Sequence, residues 1–238
     1  MGPMGSVTAL IVAAGEGRRF GGSVPKQFLP LGGIPLLAHA LRALAVPGVV
    51  DDLVVAVPPG AEGRCRAEVV APLALPVPVA LVAGGAERQA SVRAALDRVE
   101  AGADLVLVHD GVRPFVPRRD LEAVVAAARA HGAAILALPM RDTLKRAGPD
   151  GPTPLVVQTI PRHGLWAALT PQAFRRELLA RAHGVAAADG VLATDDAALV
   201  ERLGHPVALV PGWPGNIKVT ALEDLALAEA LLARGGCL

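Results

Sequence analysis

The order of apolar and polar positions predicts a chain of alternating strands and helices. Uninterrupted apolar runs indicate strands buried on both faces of a parallel sheet, and apolar residues at helical spacing indicate the helices. The predicted strands are residues 7–12, 53–57, 79–82, 105–108, 133–138, 155–160 and 207–210. The predicted helices are residues 36–44, 62–70, 88–99, 118–130 and 171–181, a short helix capped by Thr194, and a last helix opened by Thr220 and ending near Ala233. This alternation predicts an α/β fold with a mostly parallel sheet and helices on both faces.

One segment interrupts the alternation. Residues 148–152, Gly-Pro-Asp-Gly-Pro, have strong turn chemistry and precede the apolar strand at residues 155–160. A β-hairpin or extended arm at about residues 141–165 fits this pattern better than another strand–helix unit. Such an arm has no obvious sheet of its own to cover residues 155–157, and exposed apolar strand edges pair readily with a second chain.

A glycine-rich loop, residues 13–27, joins the first predicted strand to the first helix. Loops in this position hold phosphates because their backbone N–H groups are unpaired. Two common fingerprints fail, because Phe20 stands where a dinucleotide site needs glycine and Ser23 stands where a Walker A loop needs lysine. The remaining pattern, two arginines followed by Pro25-Lys26, favours a nucleoside triphosphate over a backbone cradle. The alternative is a glycine-rich turn with solvated basic side chains.

Two further polar clusters follow predicted strands. A glycine pair ending at Gly85 precedes the helix that carries Arg88 and Ser91, and glycines there permit close backbone approach to a base or phosphate. Residues 109–114, His-Asp-Gly-Val-Arg-Pro, lie at the carboxyl end of a predicted strand, where open α/β sheets bind ligands. The favoured interpretation of His109 is a buried histidine satisfied by hydrogen bonds.

Together these motifs resemble the 2-C-methyl-D-erythritol 4-phosphate cytidylyltransferase family of non-mevalonate isoprenoid synthesis. The resemblance runs from Ala9 to about Glu229, and the combination is more specific than any single motif. Departures from the family pattern are mild: Ala86 replaces an acidic residue of some members, and Gly111 and Val112 replace two alanines. The resemblance implies a Rossmann-like nucleotidyltransferase fold in a single domain, residues 1–238, with a dimerisation arm at about residues 141–165.

The resemblance also implies a reaction and a role for each motif. CTP and 2-C-methyl-D-erythritol 4-phosphate would give 4-diphosphocytidyl-2-C-methyl-D-erythritol and pyrophosphate. The implied catalytic residues are Arg19 and Lys26 at the transition state, and Arg162 and Lys218 at the phosphate of the acceptor. The implied nucleotide-binding residues are Ala13, Ala14, Gly15, Glu16, Gly17, Gly85, Arg88 and Ser91. The implied substrate-binding residues are Asp110, Gly111, Arg113, Thr143 and Thr170.

The implied chemistry bears on the base, the cofactor and the partner chain. The nucleophile is a phosphate oxygen that is already anionic near neutral pH, so His109 need not act as a general base. Mg²⁺ is expected, bound mainly through the CTP phosphates, and the sequence identifies no protein ligand for it. The resemblance implies a homodimer in which each arm carries Thr143 and Arg162 towards the site of the partner.

Composition limits the other function classes. The 238 residues have a formal net charge of +1, so no basic field predicts binding to nucleic acid. Residues 69–86 are long enough to span a membrane, but three prolines would break the helix, and we interpret them as a loop followed by a short strand. Two isolated cysteines and the lack of a basic leader at residues 1–6 favour a cytoplasmic protein with no membrane partner. Two alternatives stay open: a nucleotidyltransferase for another phosphorylated or sugar-acid acceptor, and a catalytically inactive nucleotide-binding module.

Overall fold

A computed structural model describes residues 5–15, 25–149 and 151–235. Its strands are β1 Val7–Val12, β2 Pro30–Leu31, β3 Ile34–Pro35, β4 Asp52–Val57, β5 Val79–Ala83, β6 Leu105–Asp110, β7 Ala133–Pro139, β8 Leu144–Ala147, β9 Val156–Ile160, β10 Trp166–Arg175 and β11 Ala208–Pro211. Its α-helices are α1 Leu36–Leu44, α2 Glu62–Cys65, α3 Ala71–Leu73, α4 Arg88–Leu96, α5 Arg118–His131, α6 Arg176–Ala188, α7 Asp196–Arg202 and α8 Leu222–Ala233. A 3-10 turn covers Lys26–Phe28, and a π-helical turn at Arg66–Val70 joins α2 to α3.

One seven-stranded sheet, in the order β11-β7-β10-β6-β1-β4-β5, organises the molecule. β1 pairs in parallel with β4 and β6, β4 with β5, and β11 with β7. β10 runs antiparallel to both β6 and β7. The predicted mostly parallel α/β sheet is therefore confirmed. Since β4 and β5 extend the sheet on one side of β1 and β6 begins the other side, the chain order reverses between β1 and β6.

Successive residues of the central strands point into two hydrophobic cores, one on each face of the sheet. In β1, Ala9 and Ile11 belong to one core and Leu10 to the other. In β4, Val55 belongs to the first of these cores and Val54 to the second. Side chains of α1 and α5 complete the first core, and side chains of α4, α6 and α7 complete the second. Burial on both faces explains why these strands are continuous apolar runs in the sequence.

The predicted helix at residues 171–181 is wrong in its first half. Residues Trp166–Arg175 form β10, and α6 begins only at Arg176. Phe174 is fully buried in this strand, so pairing with β6 and β7 determines its conformation. Pro171 is tolerated because the register with β7 shifts there, and the missing N–H interrupts no ladder hydrogen bond.

The segment after β4 contains more helix than predicted. Helical turns begin at Glu62 as expected but continue through α2, the π turn and α3 to Leu73. Residues 71–73 are therefore helical, beyond the predicted helix at residues 62–70 and where a loop was the prediction. The helix at α4 is shorter than predicted, since it ends at Leu96 and not at residue 99.

Two predicted helix caps are displaced by one residue. The N-cap of α7 is Asp195, whose side chain accepts the N–H of Ala198, and not Thr194. The N-cap of α8 is Ala221, and Asp224 bonds back to the N–H groups of Thr220 and Ala221. In α7 the capping group is the acidic residue after Thr194, and in α8 it is the acidic residue after Glu223.

The predicted β-hairpin is present. β8 and β9 pair antiparallel in a sheet of their own, between β7 and β10 in the chain. Leu155, Val156 and Val157 are 72%, 62% and 61% exposed there, so the hairpin presents an apolar surface to solvent. Within the described ranges, the helices are all too short or too polar to cross a membrane.

Candidate active site

An open cleft of about 600 Å³ lies at the carboxyl ends of β1 and β6, beside the loop that follows β5. This is the edge at which open α/β sheets bind ligands. The cleft is lined by nine of the predicted site residues: Ala13, Ala14, Gly15, Lys26, Gly85, Arg88, Ser91, Asp110 and Lys218. Three other predicted residues, Glu16, Gly17 and Arg19, lie outside the described part of the chain.

Close backbone packing builds one wall of the cleft. The N–H of Gly84 donates to the Val57 carbonyl at 2.7 Å, which fixes the loop after β5 against the end of β4. A Cβ on Gly84 would lie 2.3 Å from the Cβ of Ala14, so only glycine allows this approach. The hydroxyl of Ser91 accepts the N–H of Gly85 at 3.1 Å and holds the loop at the start of α4.

Asp110 binds three cationic side chains at the floor of the cleft. Its Oδ1 accepts Arg88 Nε at 3.1 Å, and its Oδ2 lies 2.9 Å from Lys218 Nζ and 3.6 Å from Arg113 Nε. Although burial alone would raise the pKa of Asp110, the charges of Arg88, Lys218 and Arg113 hold it well below its usual range. The Lys218 side chain is 40% exposed, which makes it the most exposed of these three cations.

Arg88 joins Asp110 to a second buried carboxylate. Its Nη1 donates to Asp196 Oδ2 at 2.6 Å, and His183 Nε2 lies 2.8 Å from the other oxygen of Asp196. Burial would lower the pKa of Arg88, but the two carboxylates raise it above its usual range, so the guanidinium stays charged. Its buried Nη2 has no hydrogen-bond partner in the described ranges.

His109 lies fully buried beneath the cleft with both ring nitrogens bonded. Its Nε2 is 3.0 Å from the carbonyl of Arg113, which can only accept, so Nε2 carries the proton. Its Nδ1 therefore accepts from the hydroxyl of Thr170 at 2.9 Å, and that oxygen in turn accepts the N–H of Asp110 at 3.2 Å. Burial lowers the pKa of His109 to about 4. The interpretation of His109 as a buried, satisfied histidine is confirmed.

A second pocket of about 500 Å³ adjoins the cleft and shares Arg88, Asp110 and Lys218 with it. Two more predicted substrate-binding residues, Arg113 and Thr170, line this pocket. Arg113 Nη1 donates to the Asn216 carbonyl at 2.8 Å, and Asn216 Nδ2 donates to the Thr170 carbonyl at 2.7 Å. These bonds tie the loop of Lys218 to the segment after β6 and to β10, and Lys218 lines both pockets.

Three predicted site residues line neither pocket. Thr143 and Arg162 lie exposed on the hairpin arm, where Arg162 Nη1 donates to the carbonyl of Arg141. Gly111 is buried, and a Cβ there would come within 3.0 Å of the side chains of Leu37 and Ala13. The core beneath the cleft therefore accounts for the glycine at position 111.

Sequence reasoning missed Gln27, Asp196 and His183. Gln27 lines the cleft and follows Lys26 in the same 3-10 turn, so proximity to a predicted site residue was an available signal. The contact between Arg88 and Asp196 joins residues 108 positions apart, and no local pattern indicates it. No group of three His, Cys, Asp or Glu side chains that could hold a metal occurs in the described ranges.

Comparison with known proteins identifies relatives over almost the whole chain. Residues 7–234 match the model of the IspD family, described as 2-C-methyl-D-erythritol 4-phosphate cytidylyltransferase. The chain is 46% identical over 234 residues to the 2-C-methyl-D-erythritol 4-phosphate cytidylyltransferase of Pelotomaculum thermopropionicum. That match covers 98% of this chain and 97% of the relative.

Solved structures share the fold. The crystal structure of 2-C-methyl-D-erythritol 4-phosphate cytidylyltransferase from Thermus thermophilus is similar at a TM-score of 0.78 and 41% identity, covering 96% of this chain and 99% of that one. The 4-diphosphocytidyl-2C-methyl-D-erythritol synthase from Anaerococcus prevotii is similar at a TM-score of 0.82 and 28% identity, covering 97% and 99%. These similarities confirm the predicted Rossmann-like nucleotidyltransferase fold.

Proposed function

The chain belongs to the 2-C-methyl-D-erythritol 4-phosphate cytidylyltransferase family, and from this premise we propose how its cleft performs the reaction. The activity is transfer of a cytidylyl group from CTP to 2-C-methyl-D-erythritol 4-phosphate in non-mevalonate isoprenoid synthesis. The observation that supports the site is the convergence of the loop after β1, Lys26, Asp110 and Lys218 on one cleft. The two alternatives from the sequence, another acceptor or an inactive module, are not favoured by this family membership.

The nucleotide occupies the cleft that the loop after β1 and the loop after β5 line together. In this proposal, backbone groups of Ala13, Ala14 and Gly15 contact the base, ribose and phosphates, and Gly85 and Ser91 line the same cleft. Lys26 lines the same cleft, so its ammonium group serves the triphosphate. Arg19 shares this role in the proposal, and its position lies outside the described residues.

The acceptor occupies the second pocket, with its phosphate at Lys218. Lys218 lies where the two pockets meet, so it can place a phosphate of one substrate beside the triphosphate of the other. Asp110 and Arg113 line this pocket as well, and a hydroxyl group of a polyol would share the Asp110 carboxylate with Arg88, Arg113 and Lys218. Thr170 positions this wall through its bonds to His109 and to the Asp110 backbone.

The reaction is an in-line displacement at the α-phosphorus of CTP. An oxygen of the acceptor phosphate forms a bond to that phosphorus, while the bond from phosphorus to the bridging oxygen of pyrophosphate breaks. Pyrophosphate leaves with the electron pair, and no proton has to move. Negative charge accumulates on the equatorial oxygens, so the protein contributes positioning and cations, here Lys26 with Arg19.

Mg²⁺ would be held at this site mainly through the triphosphate of CTP. Magnesium sites of nucleotide enzymes commonly use one or two carboxylates together with substrate phosphates and water. Asp110 is a buried, ionised carboxylate at the floor of the cleft, and its oxygens already pair with Arg88, Arg113 and Lys218, so the phosphates would supply most of the ligands of such a cation. Asp110 would hold the water shell of the ion, and the ion would neutralise phosphate charge.

The active assembly is a homodimer joined by the hairpin arms. The exposed apolar residues 155–157 on the arm support this proposal, because burial against a second chain removes them from water. Thr143 and Arg162 lie on the same arm, away from the cleft of their own chain. Each arm would therefore bring them to the acceptor pocket of the partner. A cytoplasmic location stays a prediction from the sequence.

A pyrophosphate-release assay over a substrate panel tests the function. We expect release only when CTP and 2-C-methyl-D-erythritol 4-phosphate are both present, and little release when the acceptor is an unphosphorylated polyol or a sugar acid. ATP, GTP and UTP in place of CTP measure nucleotide choice. Turnover with another acceptor alone would contradict the assignment, and binding of CTP without any release would indicate an inactive module.

A further inference from the structure

Gln27 has an unusual environment for a buried polar side chain. It is 1% exposed in the 3-10 turn that also carries Lys26, and it lines the cleft. Both its Oε1 and its Nε2 are buried, and neither has a hydrogen-bond partner among the residues the structure describes. Nearly all buried polar groups in folded proteins are paired, because leaving one unpaired is costly.

The same fold satisfies its other well-packed glutamine amides. Gln89 Nε2 donates to the Val191 carbonyl at 3.0 Å, and its Oε1 accepts the N–H of Ala193 at 3.1 Å. Gln172 Nε2 donates to Asp195 Oδ2 at 2.8 Å, and its Oε1 accepts two N–H groups at the start of α7. Packing does not explain the exception at Gln27, because methionine fills a similar volume without an unpaired amide.

We propose that Gln27 is a ligand-binding residue whose amide is completed by the bound nucleotide. This inference rests on the proposed function, which places CTP in the cleft. A phosphate oxygen only accepts hydrogen bonds, so the phosphates next to Lys26 pair with Nε2. Oε1 requires a donor, and a nucleotide supplies one in its ribose hydroxyls or base amino group. One nucleotide therefore satisfies both atoms, whereas a bare polyphosphate satisfies one.

The test compares Gln27→Met with Gln89→Met in the full chain. Thermal unfolding without ligand and calorimetric titration with CTP are measured for both variants and for wild type. Gln27→Met loses no internal hydrogen bond, so we expect its melting temperature to equal or exceed that of wild type. Gln89→Met breaks two internal bonds and melts lower.

Titration gives the second half of the expected result. CTP affinity falls roughly tenfold or more in Gln27→Met, the scale of two lost hydrogen bonds, and stays near wild type in Gln89→Met. With inorganic triphosphate as the probe, the loss at Gln27→Met is smaller, because only Nε2 is paired. If Gln27→Met loses as much affinity for inorganic triphosphate as for CTP, the nucleoside does not donate a hydrogen bond to Oε1.

Two outcomes would overturn the inference as a whole. The first is a Gln27→Met variant that binds CTP as tightly as wild type. The second is a Gln27→Met variant that melts as low as Gln89→Met, because its amide then has a partner inside the folded protein. Wild-type turnover of CTP is measured in the same preparation. If wild type does not turn over CTP, the result counts against the proposed function. If wild type is active and Gln27→Met binds CTP as tightly as wild type, the result counts against the role of Gln27 alone.

Discussion

At the scale of single residues, charge and burial give the cleft side chains different tasks. Asp110 stays ionised because cations surround it, and Arg88 stays charged because it lies between Asp110 and Asp196. His109 stays neutral because burial opposes its protonation. The anions and cations of the floor are thus set before substrate arrives, so little reorganisation is required when the phosphates bind.

Lys26 is the residue whose removal should affect the chemical step most. Because charge on the α-phosphate grows in the transition state, Lys26→Ala should lower kcat by about 100-fold or more, with a smaller change in the KM for CTP. Steady-state kinetics with varied CTP checks the split between kcat and KM. Turnover close to wild type would remove Lys26 from the catalytic group.

His109 predicts a specific pH dependence of stability. Its pKa is about 4 in the folded protein and 6.5 for the unperturbed side chain. Between these values the unfolded state binds more protons, so this histidine lowers stability as the pH falls from 6.5 towards 4. His109→Gln lacks this titration. The free energy of unfolding of wild type minus that of His109→Gln should therefore be about 2 kcal/mol smaller at pH 5 than at pH 7.

Urea unfolding of both proteins at pH 7, 6 and 5 measures that advantage. The comparison cancels the contribution of the other histidines and carboxylates, because they are common to both proteins. A constant difference across the three pH values would contradict a buried, neutral His109.

At the scale of elements, tight packing between the loops after β1 and β5 shapes the nucleotide wall. Gly84→Ala places a Cβ 2.3 Å from the Cβ of Ala14 and 2.8 Å from the hydroxyl of Ser91, so the two loops must separate. We expect weaker CTP binding and a lower melting temperature. Gly63→Ala is the matched control, because nothing lies within 4 Å of a Cβ there and alanine favours the helix.

Thermal unfolding and CTP titration of the two glycine variants check this prediction. Gly63→Ala should melt at or above the wild-type temperature and bind CTP normally. Unchanged CTP affinity in Gly84→Ala would mean that the wall does not depend on close contact with Ala14.

The elements also show what the sequence can predict. Most strands are predictable because burial on both faces leaves a continuous apolar run. The first half of the helix predicted at residues 171–181 fails because β10 is determined by β6 and β7, which are distant in the chain. The sequence does not predict the ion pair of Arg88 with Asp196 or the unpaired amide of Gln27, because both depend on how distant segments assemble into the cleft. The resemblance to the family located most of the cleft but carried no packing information.

At the scale of the whole molecule, the proposed dimer makes two composite sites, each built from both chains. In a heterodimer of Lys26→Ala with Arg162→Ala, one site collects both lesions and the other collects none. Random reassortment puts half of the dimers in this class, so about a quarter of wild-type activity should return on mixing.

Differently tagged chains establish whether subunits exchange in that experiment. If Arg162 instead serves the site of its own chain, every site carries one lesion and mixing restores nothing. Exchange without recovered activity therefore contradicts the shared site, even if the protein is dimeric.

The most direct test of the account is ³¹P nuclear magnetic resonance of the reaction products, with ¹⁸O in the phosphate of the acceptor. Attack by that phosphate on the α-phosphorus of CTP predicts a diphosphate product with ¹⁸O in its bridging position, together with pyrophosphate free of label. A labelled phosphate chain joined to the acceptor without cytidine, formed together with CMP or CDP, would show attack at the β- or γ-phosphorus. That result, or the absence of any diphosphate product, would contradict cytidylyl transfer in this cleft.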